Sequence, residues 1–110
     1  MTEPGQLAAA ELLLDRLRRW NRRSWAGHAA TGATARTRAD ATHQAVQRLA
    51  DLAAAVEGRP PLAVPRLFGD LALPDQLAVM VHDVRRTGDP AAIRTAAAEL
   101  DALRAALGFR

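Results

Sequence analysis

Lysine, cysteine and tyrosine are absent from this chain, and serine and isoleucine occur once each. Without cysteine there is no disulfide, no thiolate nucleophile and no Cys-ligated zinc, and the redox compartment is left open. Without lysine or tyrosine, the nucleophiles reduce to Ser24 and seven threonines, and the acid–base groups to His28, His43, His82 and twelve carboxylates. Residues that favour strands are scarce: six Val, one Ile and two Phe. The longest unbroken apolar runs, Leu52 to Val56 and Leu77 to Val81, have five residues. A membrane-spanning helix needs about 20. The first residues include Glu3, Pro4, Glu11 and Asp15 and lack a basic segment, so no secretory signal is expected and the cytoplasm is the default location.

Alanine and leucine fill the space left by these absences, with 26 and 15 copies. Both favour helix, so the composition predicts an all-α fold. A length of 110 residues suits a single domain covering 1–110. An alanine-rich interior buries little area per residue. At about 25 cal/mol per Å² such a core is thin, and a homodimer that buries more surface is expected.

Periodicity predicts a compact four-helix bundle. The first helix is expected from about Pro4–Leu7 to Asn21–Trp25, with Leu7, Ala10, Leu13, Leu14, Leu17 and Trp20 on one face. Residues 24–36 include Gly27 and Gly32, show no period, and read as a loop. Thr37 followed by Asp40 resembles an N-terminal cap for a second helix that stops at Gly58. Its inward stripe is Ala39, Thr42, Val46, Leu49, Ala50, Ala53 and Val56, with His43 at the edge. Four prolines make residues 58–74 a Pro-rich strap between helices 2 and 3, packed across the bundle. Pro74 and Asp75 open a third helix, and Gly88 ends it. Asp89 and Pro90 then start a fourth. So short a connection predicts an antiparallel helical hairpin at the end of the chain.

Charge is distributed unevenly. Between Arg16 and Arg38 lie seven arginines, both tryptophans and no acid; the rest of the chain holds eight arginines against all twelve acids. The sequence pI of about 11.2 owes much to arginine's high pKa, so the clustering informs more than the total. Arginines neutralise phosphates or carboxylates, and Trp25 in a loop offers a stacking surface. An Arg/Trp patch is also the usual composition of a protein interaction hot spot. The candidate binding residues are therefore Arg18, Arg19, Arg22, Arg23, Trp25, Arg36 and Arg38. The expected function is a non-enzymatic binding or assembly module that acts on an acidic protein partner or a nucleic acid. A membrane surface fits less well, because Glu11 and Asp15 interrupt the basic face.

Chemistry finds little support. The three histidines are far apart and have no metal-binding spacing, so neither a metal nor a cofactor is expected. Ser24 has no sharp nucleophile turn around it. One short stretch suggests catalysis: Arg23-Ser-Trp-Ala-Gly-His28 resembles the Arg-x4-His signature of the HEPN ribonucleases, which are all-helical and of similar size. The resemblance covers six residues, and Ser24 stands where that family usually carries Asn, Asp or His. It implies the alternative function, metal-independent RNA cleavage at a dimer cleft, with Arg23 and His28 in the catalytic roles.

Overall fold

A computed structural model describes residues 3–30, 37–67 and 69–109. It is all-helical: α1 (Glu3–Arg18), α2 (Arg22–Ala26), α3 (Arg38–Val56), α4 (Leu73–Thr87) and α5 (Pro90–Ala106), with one 3-10 turn over Asp70–Ala72. Among the described residues there is no strand, and the β-type pairing is a single antiparallel bridge between His28 and Thr37. The radius of gyration, 13.3 Å, is that of a compact domain of this length.

Helix α3 lies against α4 and α5, and α1 lies against α5 and α4. The predicted stripe of α1 is buried at Leu7, Ala10, Leu13, Leu14 and Leu17. It meets Val46 and Leu49 of α3, Leu77, Val81 and Val84 of α4, and Ile93, Leu100 and Leu103 of α5 in one core. Alanines 39, 45, 53, 92 and 96 sit in the same core, where a side chain of one carbon lets helix backbones approach. The alanine-rich composition is thus used at the helix contacts. One member of the expected α3 stripe, Val56, is exposed at the very end of the helix, although Ala53 one turn earlier is buried.

The caps follow the sequence closely. Thr37 and Asp40 form a reciprocal capping box at the start of α3. The Asp89 side chain accepts from Ala92 N at 2.8 Å, with Pro90 in the first turn of α5. Gly88 ends α4, and only Gly88 and Asp89 separate α4 from α5.

Two expectations change. The first helix is not continuous to Trp25. It tightens at its end through bonds from Arg19 N to Arg16 O and from Trp20 N to Leu17 O, and the chain restarts at Asn21. The Asn21 side chain accepts from Ser24 N at 3.0 Å and so caps α2. Asn competes for backbone donors and favours such a restart over a helix interior. Ser24 to Ala26, expected in a loop, are therefore helical; residues 31–36 of that loop lie outside the described residues.

The strap is also held differently from expectation. Val64 packs against the core and Leu73 is buried where α4 begins, but Leu62, Leu67 and Leu71 are exposed and do not fix it. Polar side chains of α3 do so instead. Gln47 Oε1 accepts from Val64 N at 2.7 Å while its Nε2 donates to Leu62 O at 3.0 Å. His43 Nε2 is 3.0 Å from Val64 O, and since a carbonyl can only accept, that nitrogen carries the proton. One glutamine and one histidine thus satisfy the strap's backbone as a neighbouring strand would. From the far end, Gln76 Nε2 donates to Pro65 O at 3.1 Å.

Candidate interaction surface

The restart at Asn21 gathers the aromatic side chains. On a continuous helix, five residues of separation would put Trp20 and Trp25 about 140° apart around the axis. With the break, their ring centroids stand 4.8 Å apart, edge to face at 74°. At the other end of the chain, Gly108 takes φ +86, and Phe109 N bonds back to Arg104 O at 2.9 Å. That left-handed closure, which only glycine adopts cheaply, turns the chain and brings Phe109 to 5.4 Å from Trp20. Two arginines border the cluster. Arg16 lies 4.1 Å from the Phe109 centroid, and Arg38 lies 5.5 Å from that of Trp20.

The candidate residues now separate by role. Trp25 is the largest fully buried side chain, at 0% exposure, so it offers no face to a nucleic-acid base. The expectation of a loop tryptophan free to stack is overturned, because α2 packs that ring into the core. Its Nε1, like Arg38 Nε, has no acceptor among the described residues. Arg38 serves the fold: its Nη1 donates to Ser24 O at 3.3 Å, and its backbone N donates to Gly27 O at 2.8 Å. Arg18 stands 3.9 Å from Asp15 and 3.8 Å from Asp75. Arg36 lies outside the described residues.

Arg19, Arg22 and Arg23 are exposed, and no carboxylate pairs with them among the described residues. Elsewhere the basic residues are mostly paired. Arg48 meets Glu99, Arg59 meets Glu57, Arg66 meets both Asp40 and Asp70, and Arg104 meets Asp101. Arg85, Arg86 and Arg94 are further exposed arginines that form no ion pair among the described residues. The positive charge is therefore less one-sided than the linear sequence suggests.

Beside Arg19 the surface is concave. A groove of about 420 Å³ is lined by Ala9, Leu12, Leu13 and Phe109, with Arg16, Arg19, Arg104 and Asp15 around it. Leu12 is 70% exposed. Neither Leu12 nor Phe109 was among the sequence candidates. A signal for Leu12 was present: it is the member of the Leu12-Leu13-Leu14 triplet that falls off the inward stripe. Phe109 carried no such signal, since its position depends on the turn at Gly108.

Arg23 is in the last turn of α2, while His28 follows the extended Gly27 and bridges to Thr37. Ser24 Oγ is 3.2 Å from Asn21 Oδ1, the same oxygen that caps α2. Among the described residues no three His, Asp or Glu side chains converge as a metal site would require, and no helix is long and apolar enough to cross a membrane.

One ionisation is shifted. Burial is the largest single influence on Asp40 and pushes its pKa up. Hydrogen bonds from Arg66 and from the Thr37 side chain and backbone, with the charge of Arg66, outweigh it and hold the carboxyl below its ordinary value.

Comparison with protein families, with curated proteins and with solved structures yields no match for this chain.

Proposed function

We propose that this chain is a non-enzymatic binding or assembly module whose contact surface is the exposed arginine run Arg19, Arg22 and Arg23, and that its partner is an acidic protein surface. The carrying observation is the division within the basic cluster. Arg18 and Arg38 are engaged within the fold, whereas these three guanidinium groups are exposed without a carboxylate neighbour among the described residues. Arg19 also borders the groove with the exposed Leu12, and arginine beside apolar surface has the composition of an interaction hot spot. A protein partner is favoured over a nucleic acid because the aromatic stacking surface that single-stranded binding draws on is withdrawn into the core at Trp25.

The same reading takes the four longer helices as a bundle that ends in an antiparallel α4–α5 hairpin. It also takes the module as a homodimer, a state to which the exposed Leu62, Leu71 and Val79 would contribute apolar area. Light scattering over a concentration series tests the dimer; a monomer throughout contradicts it.

Labelled poly-glutamate and a single-stranded RNA of matched charge, titrated at several salt concentrations, test the partner class. Poly-glutamate is expected to bind with an affinity that falls as salt rises. Tighter binding of the RNA with a steep salt slope would transfer the surface to nucleic acid. Failure of both at low salt would remove the proposal. Equal RNA integrity with wild type and His28→Ala, in chelator, is expected from a module without nuclease activity.

A further inference from the structure

The groove along α1 has a direction. Ala9, Leu12, Arg16 and Arg19 follow one another at intervals of three and four residues, so they form one stripe along the helix and its terminal turn. The stripe is apolar toward the N-terminus of α1 and basic toward its C-terminus. Phe109 and Arg104 from the other end of the chain complete the lining. Three arginines face one carboxylate there, Asp15, which is itself 3.9 Å from Arg18. Arg16 lies over the Phe109 ring at 4.1 Å, so that ring is not an open stacking platform.

We propose that this groove seats an acidic amphipathic helix of the partner, running antiparallel to α1, with an apolar anchor on Leu12 and acids over Arg16 and Arg19. The proposal rests on the acidic-partner reading above and names the form that partner takes. The direction follows from charge. Acids are most favourable in the first turn of a helix, where they offset the positive end of its dipole. Placing that first turn over the basic end of α1 sets the two helices antiparallel, and the partner's next turns then pass over Leu12 and Ala9. The spacings of Arg19, Arg16 and Leu12 translate into a partner pattern of Glu-x-x-Glu-x-x-x-Leu. Such a helix lays an apolar residue into a preformed apolar floor, while its acids take the place of solvent around the arginines.

The test uses the full chain and two labelled helical peptides with this pattern, one with leucine at the anchor and one with serine there. Leu12→Ser provides a variant at a side chain that is 70% exposed, so the fold is expected to survive, and circular dichroism checks it. The leucine peptide is expected to bind about tenfold tighter than the serine peptide, the effect of burying a good part of one leucine. Leu12→Ser is expected to abolish most of that advantage, and Arg19→Ala to weaken both peptides. Equal binding of the two peptides by wild type overturns the groove; if Arg22→Ala/Arg23→Ala then weakens both alike, the acidic-partner reading survives without it. Binding of neither peptide overturns both readings. A concentration-dependent dimer that Leu12→Ser dissolves also overturns the proposal, since it assigns the groove to a second copy of the chain.

Discussion

Arg38 closes the gap left by Gly27: a Cβ at Gly27 would stand 2.8 Å from Arg38 Nη1 and 3.2 Å from its Cζ. The backbone of Gly27, at φ −63 and ψ 158, is open to any residue, so what a side chain would meet there is steric: the guanidinium first, and Ser24 O at 3.3 Å. Removing either partner should therefore reveal the other. Arg38→Ala is expected to cost about 1–2 kcal/mol, for a charged hydrogen bond to Ser24 O and the contact with Trp20. Gly27→Ala is expected to displace the guanidinium and destabilise the wild type, and to cost less in the Arg38→Ala background, where only the contact with Ser24 O remains. Denaturant unfolding of the four proteins measures the coupling, and strict additivity would contradict it.

The strap depends on Gln47. Gln47→Ala is expected to cost about 1–3 kcal/mol, because it removes an acceptor from Val64 N and a donor from Leu62 O. Hydrogen exchange resolves the two effects: the Val64 amide should lose protection in Gln47→Ala and keep it in Gln47→Glu, which retains the acceptor. Unchanged protection in the alanine variant would show that the strap is held by something else.

Acid should weaken the start of α3. The Asp40 carboxyl titrates below its ordinary value of 3.8, so its contribution is fully present above that value. It is lost as pH falls through the lower, folded-state pKa. Thermal unfolding between neutral and strongly acidic pH is expected to show a steeper acid loss in wild type than in Asp40→Asn. Arg66→Ala should flatten the curve in part, since Arg66 Nη1 bonds Asp40 Oδ1 at 3.1 Å. Parallel curves would contradict this assignment.

The four longer helices, and the caps of α3 and α5, were legible in the sequence because they are set by local chemistry. Thr37 with Asp40, and Asp89 with Pro90, act within one turn of themselves. The break after Arg18 was not legible, although Asn21 three residues before Ser24 was its local signal. A helical pattern through Leu17 and Trp20 concealed it. The site was only partly legible. Clustering of arginines along the chain does not say which are engaged, and the engagement of Arg38 depends on Gly27, Ser24 and Trp20 together. Phe109 reaches Trp20 from 89 positions away in the sequence, and no local pattern announces such a contact.

One basic cluster holds both arginines engaged in the fold and arginines proposed to meet a partner. Affinity for labelled poly-glutamate and unfolding temperature, measured on the same three variants, test this most directly. Arg22→Ala/Arg23→Ala should lower affinity about tenfold with little change in unfolding temperature, a loss of charge at an exposed surface. Arg38→Ala should do the reverse, and Arg85→Ala/Arg86→Ala should change neither appreciably. If Arg85→Ala/Arg86→Ala loses as much affinity as Arg22→Ala/Arg23→Ala, the binding follows total charge and the proposed surface does not exist.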